Sequence, residues 1–210
     1  YAASDVKAKV GDGTPVTIVE ATDYPFADTV RFRLSALKTT RFPLYLRIPR
    51  WCARPALLVN GKPVATKAGP PSYLIVERPW KAGDAVTLRL PMRLSVRTWP
   101  KNNDAVSVSY GPLEFSLAIP EKWVRYGGSD AWPEYEVLPA GAWNYGLALN
   151  PRDPAQSFQV IRKAGPLAAQ PFSPETAPIE LRVEARKIPG WRADPQGVIG
   201  VLRPSPVRSD

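Results

Sequence analysis

Apolar and polar positions alternate with a period of two in many short stretches of this chain. Val16 and Ile18 begin the series. Val30, Phe32 and Leu34 follow, with Arg31 and Arg33 between them, and then Leu44, Leu46 and Ile48. Runs of the same kind fall at 57–59, 73–76, 86–90, 106–110, 113–119, 158–161 and 179–185. Successive side chains of a strand point to opposite faces, so this alternation predicts half-buried β-strands. Turn-forming residues separate the runs: Gly11-Asp12-Gly13, Asn60-Gly61, Gly83-Asp84 and Tyr110-Gly111-Pro112. Asn60-Gly61 is the strongest of these signals, because both residues tolerate the positive φ of a two-residue hairpin turn. About ten strands at roughly 8–12-residue spacing predict a β-sandwich or barrel of mostly antiparallel strands, not βαβ units. The proline-free stretch 26–42 is long enough for a helix, but it alternates, and no structural helix is expected.

Composition sharpens that picture. The chain carries 25 prolines and 14 glycines among 210 residues, spread rather than clustered. Proline removes a donor and clashes with the preceding turn, so long helices are nearly excluded. An apolar fraction of 44% is ample for a packed core. A polar, proline-bearing stretch, Arg97-Thr98-Trp99-Pro100-Lys101-Asn102-Asn103-Asp104, separates two strand-rich blocks. The expected architecture is all-β: two packed β-sandwich domains, residues 1–98 and a less regular 99–210, with terminal strands free to exchange between them. Residues 121–157 mix aromatics with glycine and proline and read as irregular. Residues 164–178 carry Pro166, Pro171, Pro174 and Pro178 and read as loop.

Lysine and arginine total 28 against 19 acids, a net charge of +9. Such a balance favours an anionic partner, but the cations are dispersed. The densest group, Arg47, Arg50 and Arg54, is interrupted by Ile48, Pro49, Trp51 and Cys52, and no nucleic-acid partner is expected. No apolar run approaches 18 residues, so no membrane-spanning helix and no membrane partner are expected. The chain begins Tyr1-Ala2-Ala3-Ser4-Asp5 and its only methionine is Met92, which reads as a piece of a longer chain.

Candidate chemistry is sparse. With no histidine, His-based triads, His zinc sites and an imidazole base are excluded. Cys52 lies between Arg50 and Arg54, cations that would favour a thiolate; lacking a histidine base, it reads as a structural cysteine at a strand end. Glu114, Glu121, Asp130, Glu134 and Glu136 are the acids that a glycoside-cleaving pair would draw on. Glu134 and Glu136 would share one face of a strand, but no spacing singles out a dyad. The rings of Trp123, Tyr126 and Trp132, in a glycine-containing loop, are candidate ligand-binding residues, since sugar C–H faces stack on flat aromatic rings. Trp143 and Tyr145 read as core, and Trp80 as a buried anchor before the Gly83-Asp84 turn.

Taken in order, several phrases resemble one family: Thr22-Asp23-Tyr24-Pro25-Phe26, Phe42-Pro43-Leu44-Tyr45-Leu46-Arg47-Ile48-Pro49-Arg50-Trp51-Cys52, Val59-Asn60-Gly61, Glu77-Arg78-Pro79-Trp80-Lys81-Ala82-Gly83-Asp84, Leu90-Pro91-Met92-Arg93 and Tyr110-Gly111-Pro112-Leu113. Their order and spacing are similar to the region after the catalytic barrel in glycoside hydrolase family 127, the β-L-arabinofuranosidase-like group. Residues 1–6 resemble the exit from that barrel; Trp143-Asn144-Tyr145 and Ile188-Pro189-Gly190-Trp191 fit the more variable second part. The resemblance implies an active site elsewhere, in an (α/α)6 barrel where a zinc-held cysteine acts as nucleophile beside glutamates. Cys52 matches no catalytic position, and no catalytic residue, metal site or cofactor is expected in this chain, zinc belonging to the barrel. At Ser205-Pro206-Val207-Arg208-Ser209-Asp210 the family would continue into a last strand, so an unpaired sheet edge is expected.

The implied function is that of a non-catalytic β-sandwich portion of a glycoside hydrolase acting on arabinofuranosides or related plant glycans. Its expected partner is its own barrel, with a homo-oligomer and a glycan as further candidates. The barrel-facing surface would be an apolar patch promoting self-association. Two alternatives stand beside it: a carbohydrate-binding module using the loop aromatics, and a scaffold module with an anionic partner.

Overall fold

The structure, a computed structural model, describes residues 1–64, 72–195 and 197–208. It is all-β, and its only helical elements among the described residues are 3-10 turns at Pro100–Asn102 and Pro154–Ser157. The chain divides into two compact units: residues 1–94 with 109–113, and residues 95–108 with 114 onward.

The first unit contains β1 (Ser4–Val10), β2 (Thr14–Thr22), β3 (Thr29–Ala36), β4 (Thr40–Ile48), β5 (Ala56–Val59), β6 (Lys62–Val64), β7 (Ser72–Trp80) and β8 (Ala85–Arg89). Six of these form one sheet in the order β1-β2-β3-β8-β5-β6, while β4 and β7 pair separately in an antiparallel ladder. The alternation read from the sequence is the one observed. Val30, Phe32 and Leu34 are buried, and Arg31 and Arg33 between them are exposed. Val16, Leu57, Val59, Val86 and Leu88 of the sheet share one buried cluster with Phe42, Leu46 and Ile48 of β4 and Leu74, Val76 and Trp80 of β7. The unit is therefore a sandwich whose two layers close on a common apolar core. Trp80 is fully buried there, and its indole N–H donates to the Phe42 carbonyl at 3.0 Å, which removes the cost of burying that donor. The Asn60-Gly61 turn joins β5 to β6 with φ of 50° and 75°, as that dipeptide predicts.

One strand here was not evident from the sequence. Ser4–Val10 pairs along its whole length with β2, although the sequence marks residues 1–6 only as a chain entering the domain. Nearly every residue of β1 is exposed, so it has no buried face to generate a pattern. Lys7 and Lys9 place charge on this edge strand, which discourages further strand addition.

Beyond these come β9 (Leu94–Trp99), β10 (Ala105–Tyr110) and β11 (Leu113–Phe115), in the sheet order β11-β10-β9, and the division of the chain falls among them. The polar stretch from Arg97 thus begins as strand: the Arg97 guanidinium lies 3.6 Å from the centre of the Trp99 ring, and the Trp99 indole donates to Ser107 at 3.2 Å. The run expected to continue to Ile119 ends as strand at Phe115.

Among the described residues the second unit holds three two-stranded ladders. They are β12 (Glu121–Gly128) with β13 (Pro133–Pro139), β14 (Tyr145–Leu147) with β17 (Ala185–Lys187), and β15 (Phe158–Arg162) with β16 (Ile179–Val183). Its buried apolar residues among those described are Val108, Ala148, Ile179 and Ile188, far fewer than in the first unit. Trp143 and Tyr145, expected in the core, are half-buried. Residues 164–178 are without strand or helix, as their prolines predict.

Candidate functional site

The three candidate ring residues lie on or beside the β12–β13 hairpin. Trp123 and Tyr126 are on β12 itself, not in the irregular loop that the sequence suggests, and Trp132 is in the turn before β13. Trp123 is 59% exposed, Tyr126 70% and Trp132 82%. Trp123 pairs across the ladder with Val137, and its ring meets Tyr135 edge-on at 5.7 Å. Its indole N–H donates to Glu121 at 3.0 Å. A register shift between Arg125 and Gly127 leaves Tyr126 at a bulge.

Arg125 holds the turn beyond the bulge. Its guanidinium donates to the carbonyls of Gly127 and Gly128 and to Asp130 at 2.9 Å. The Trp132 backbone N–H donates to the Ser129 hydroxyl and carbonyl, so the turn that carries Trp132 is ordered by hydrogen bonds, not packing. The hairpin thus presents an edge-to-face Trp123–Tyr135 pair, with Tyr126 at the bulge and Trp132 in the turn.

Glu121 is held by Trp123 and Asp130 by Arg125, while Glu134 and Glu136 share a face of β13, both exposed. Cys52 is fully buried beside the first unit's core, and burial pushes its thiol above the ordinary range, the opposite of what a thiolate nucleophile needs. Among the described residues no group of three or more His, Cys, Asp or Glu side chains could hold a metal ion.

A surface that the sequence reading did not single out is the outer face of the β4–β7 ladder. Tyr45, Tyr73 and Ile75 are each more than half exposed. Tyr45 lies opposite Ile75 in the register and meets Tyr73 edge-on at 6.3 Å. Pro43 extends the patch, and the Arg41–Glu77 pair at 3.6 Å borders it. The signal was available: Tyr73-Leu74-Ile75-Val76 is apolar at both parities, and a strand apolar on both faces is one that expects cover on both.

Residues 1–92 match the family model described as β-L-arabinofuranosidase, GH127 middle domain. Among solved structures the chain is similar to a GH127 β-L-arabinofuranosidase from Geobacillus stearothermophilus T6, with a TM-score of 0.51 and 23% identity over 66% of this chain and 29% of that one. It is similar to a chain described as a glycoside hydrolase, with a TM-score of 0.52 and 23% identity over 89% of this chain and 30% of that one. A further GH127 β-arabinofuranosidase gives a TM-score of 0.50 at 19% identity, over 72% of this chain and 29% of its own. No curated protein sequence matches the chain. The resemblance read from the motifs therefore holds for residues 1–92. The structural likeness is one of fold, and this chain spans less than a third of the length of those solved proteins.

Proposed function

We propose that these residues form a non-catalytic, load-sharing part of a GH127-type glycoside hydrolase, packed against a catalytic barrel that carries the zinc, the nucleophile and the choice of arabinofuranoside or related plant glycan. The observation that carries this reading is the match of residues 1–92 to a domain described as the middle one of a β-L-arabinofuranosidase. The burial of Cys52 supports it, because a thiol closed off in the core cannot meet a substrate. The Tyr45, Tyr73 and Ile75 face is the part of the first unit we assign to the barrel contact, since these apolar side chains are exposed side by side on an antiparallel ladder. Purified as the 210-residue chain, the protein is expected to leave p-nitrophenyl β-L-arabinofuranoside intact. Turnover that survives repurification, and that is lost on changing Glu134 or Glu136 to Gln, would overturn the proposal.

A second reading, binding of a glycan by the β12–β13 hairpin, is favoured by the exposure of its rings, above all the ordered Trp123–Tyr135 pair.

A further inference from the structure

Asn60-Gly61 is the one Asn-Gly dipeptide in the sequence, and both residues are exposed where β5 turns into β6. Such a dipeptide carries its own chemistry. The Gly61 backbone nitrogen loses its proton to solvent and attacks the Asn60 side-chain carbonyl carbon, Cγ. The new C–N bond closes a succinimide ring as the Cγ–Nδ2 bond breaks and ammonia leaves. Water then opens the ring at either carbonyl, giving aspartate or isoaspartate, so water is the only co-reactant. Glycine favours the attack, because no side chain crowds its nitrogen and its backbone turns freely.

The fold commits both ends of the attacked amide to another segment. Asn60 Nδ2 donates to Asp84 at 2.7 Å, and Asn60 Oδ1 accepts from the Ala85 N–H at 2.8 Å. The Asn60 N–H donates to the Ala85 carbonyl at 2.8 Å, so backbone and side chain are fastened to the same place. That place is itself firm. Asp84 is buried and also accepts from the Lys81 N–H at 2.9 Å, and Ala85 opens β8, which lies between β3 and β5 in the sheet. Ring closure turns Cγ onto the Gly61 nitrogen and expels Nδ2, which breaks the bonds that the planar amide makes at its two ends.

We propose that Asn60 is a deamidation site gated by the fold: its bonds to Asp84 and Ala85 suppress the reaction, and opening of the β5–β6 turn releases it. Turn opening and reclosing are fast beside this chemistry, so the rate follows the population of the open turn. Neither product restores the turn. Aspartate at position 60 puts a carboxylate oxygen where Nδ2 donates, against the buried carboxylate of Asp84, and like charges at that spacing repel. Isoaspartate adds a methylene to the main chain inside a two-residue turn whose flanks, Val59 and Lys62, pair directly. The change therefore marks, irreversibly, chains whose turn has opened. It involves none of the residues assigned to the barrel contact or to the ring-bearing hairpin.

The test is incubation of the 210-residue protein at neutral pH beside a synthetic peptide of residues 56–64, with aspartate and isoaspartate at position 60 resolved by peptide mapping. The peptide is expected to convert at least tenfold faster than the protein. Asp84→Ala, kept where circular dichroism shows it folded, should convert at least threefold faster than the parent. Val16→Ala, a core truncation on β2 three strands from β5 in the sheet order, should lower the melting temperature without such acceleration. Asn60→Asp, which reproduces one product, should melt below the parent. The proposal is overturned if the protein converts as fast as the peptide, if Asp84→Ala converts as slowly as the parent, if Val16→Ala converts as fast as Asp84→Ala, or if Asn60→Asp melts with the parent.

Discussion

Asp84 is the one buried acid among the described residues, 7% exposed, and it organises two turns at once. One carboxylate oxygen accepts from the Asn60 amide at 2.7 Å and the other from the Lys81 N–H at 2.9 Å. Asn60 in turn accepts from the Ala85 N–H, so the β5–β6 turn is fastened to the turn that enters β8. Burial pushes the Asp84 carboxyl upward, but the bonds from Asn60 and Lys81 and the nearby charges of Arg78 and Lys81 outweigh it and leave the group below the usual carboxylate value. A lowered native value means that the unfolded chain binds the proton more readily. The stabilisation is therefore complete above the ordinary aspartate range, near pH 4, and is lost as pH falls through the lower native value. Asp84→Ala should cost about 1–3 kcal/mol at neutral pH, because it strands the donors of Asn60 and Lys81. Thermal melts of both proteins between pH 7 and pH 2.5 should show the gap between them closing only in the most acidic samples. A gap constant across that range would show that the carboxylate charge is not what matters. The sequence pointed to Gly83-Asp84 as turn formers; the bond to Asn60, 24 residues away, depends on a strand order that no local pattern encodes.

At the scale of elements, legibility followed burial. β3 could be read residue by residue because one face meets the core and the other meets water, so Val30, Phe32 and Leu34 alternate with charge. The β5–β6 turn could be read because few residues other than Asn and Gly accept its backbone. The β12–β13 hairpin could not be read, since nearly every one of its residues is exposed and a strand with two wet faces carries no alternation. A two-stranded ribbon is at best marginally stable by itself, so its cross-strand pairs matter more than usual. The Trp123–Tyr135 contact and the Arg125 fork are what such a ribbon has in place of a core. If this ribbon stacks a sugar, titration with arabino-oligosaccharides to about 10 mM should shift tryptophan emission in the parent and not in Trp123→Ala, a concentration suited to the weak affinity of a single open platform. An unchanged spectrum in the parent, or an equal shift in the variant, would remove the hairpin from consideration as a glycan site.

For the molecule as a whole, two forces act in opposition on its surface. A net charge of +9 repels other copies, while the outer face of the β4–β7 ladder offers Tyr45, Tyr73 and Ile75, each more than half exposed, as an apolar contact. Charge repulsion between copies is long-ranged and screened: the Debye length falls from about 10 Å at 0.1 M salt to about 3 Å at 1 M. Burial of apolar surface is short-ranged and is not weakened by sodium chloride in this way. Raising salt should therefore remove the repulsion first and uncover the attraction. Size-exclusion chromatography with light scattering should give a mass near the 23.1 kDa monomer at low salt and a rising average mass toward 1 M sodium chloride. Tyr45→Ser combined with Ile75→Ser should hold the monomer mass at every salt concentration, because both changes fall on exposed positions and leave the inward residues Leu46, Leu74 and Val76 in place. A parent that stays monomeric throughout would show that this face is well hydrated as it stands and would withdraw it as the surface assigned to a barrel. A double variant that associates as the parent does would move the contact elsewhere, with the exposed rings of the second unit the next place to look.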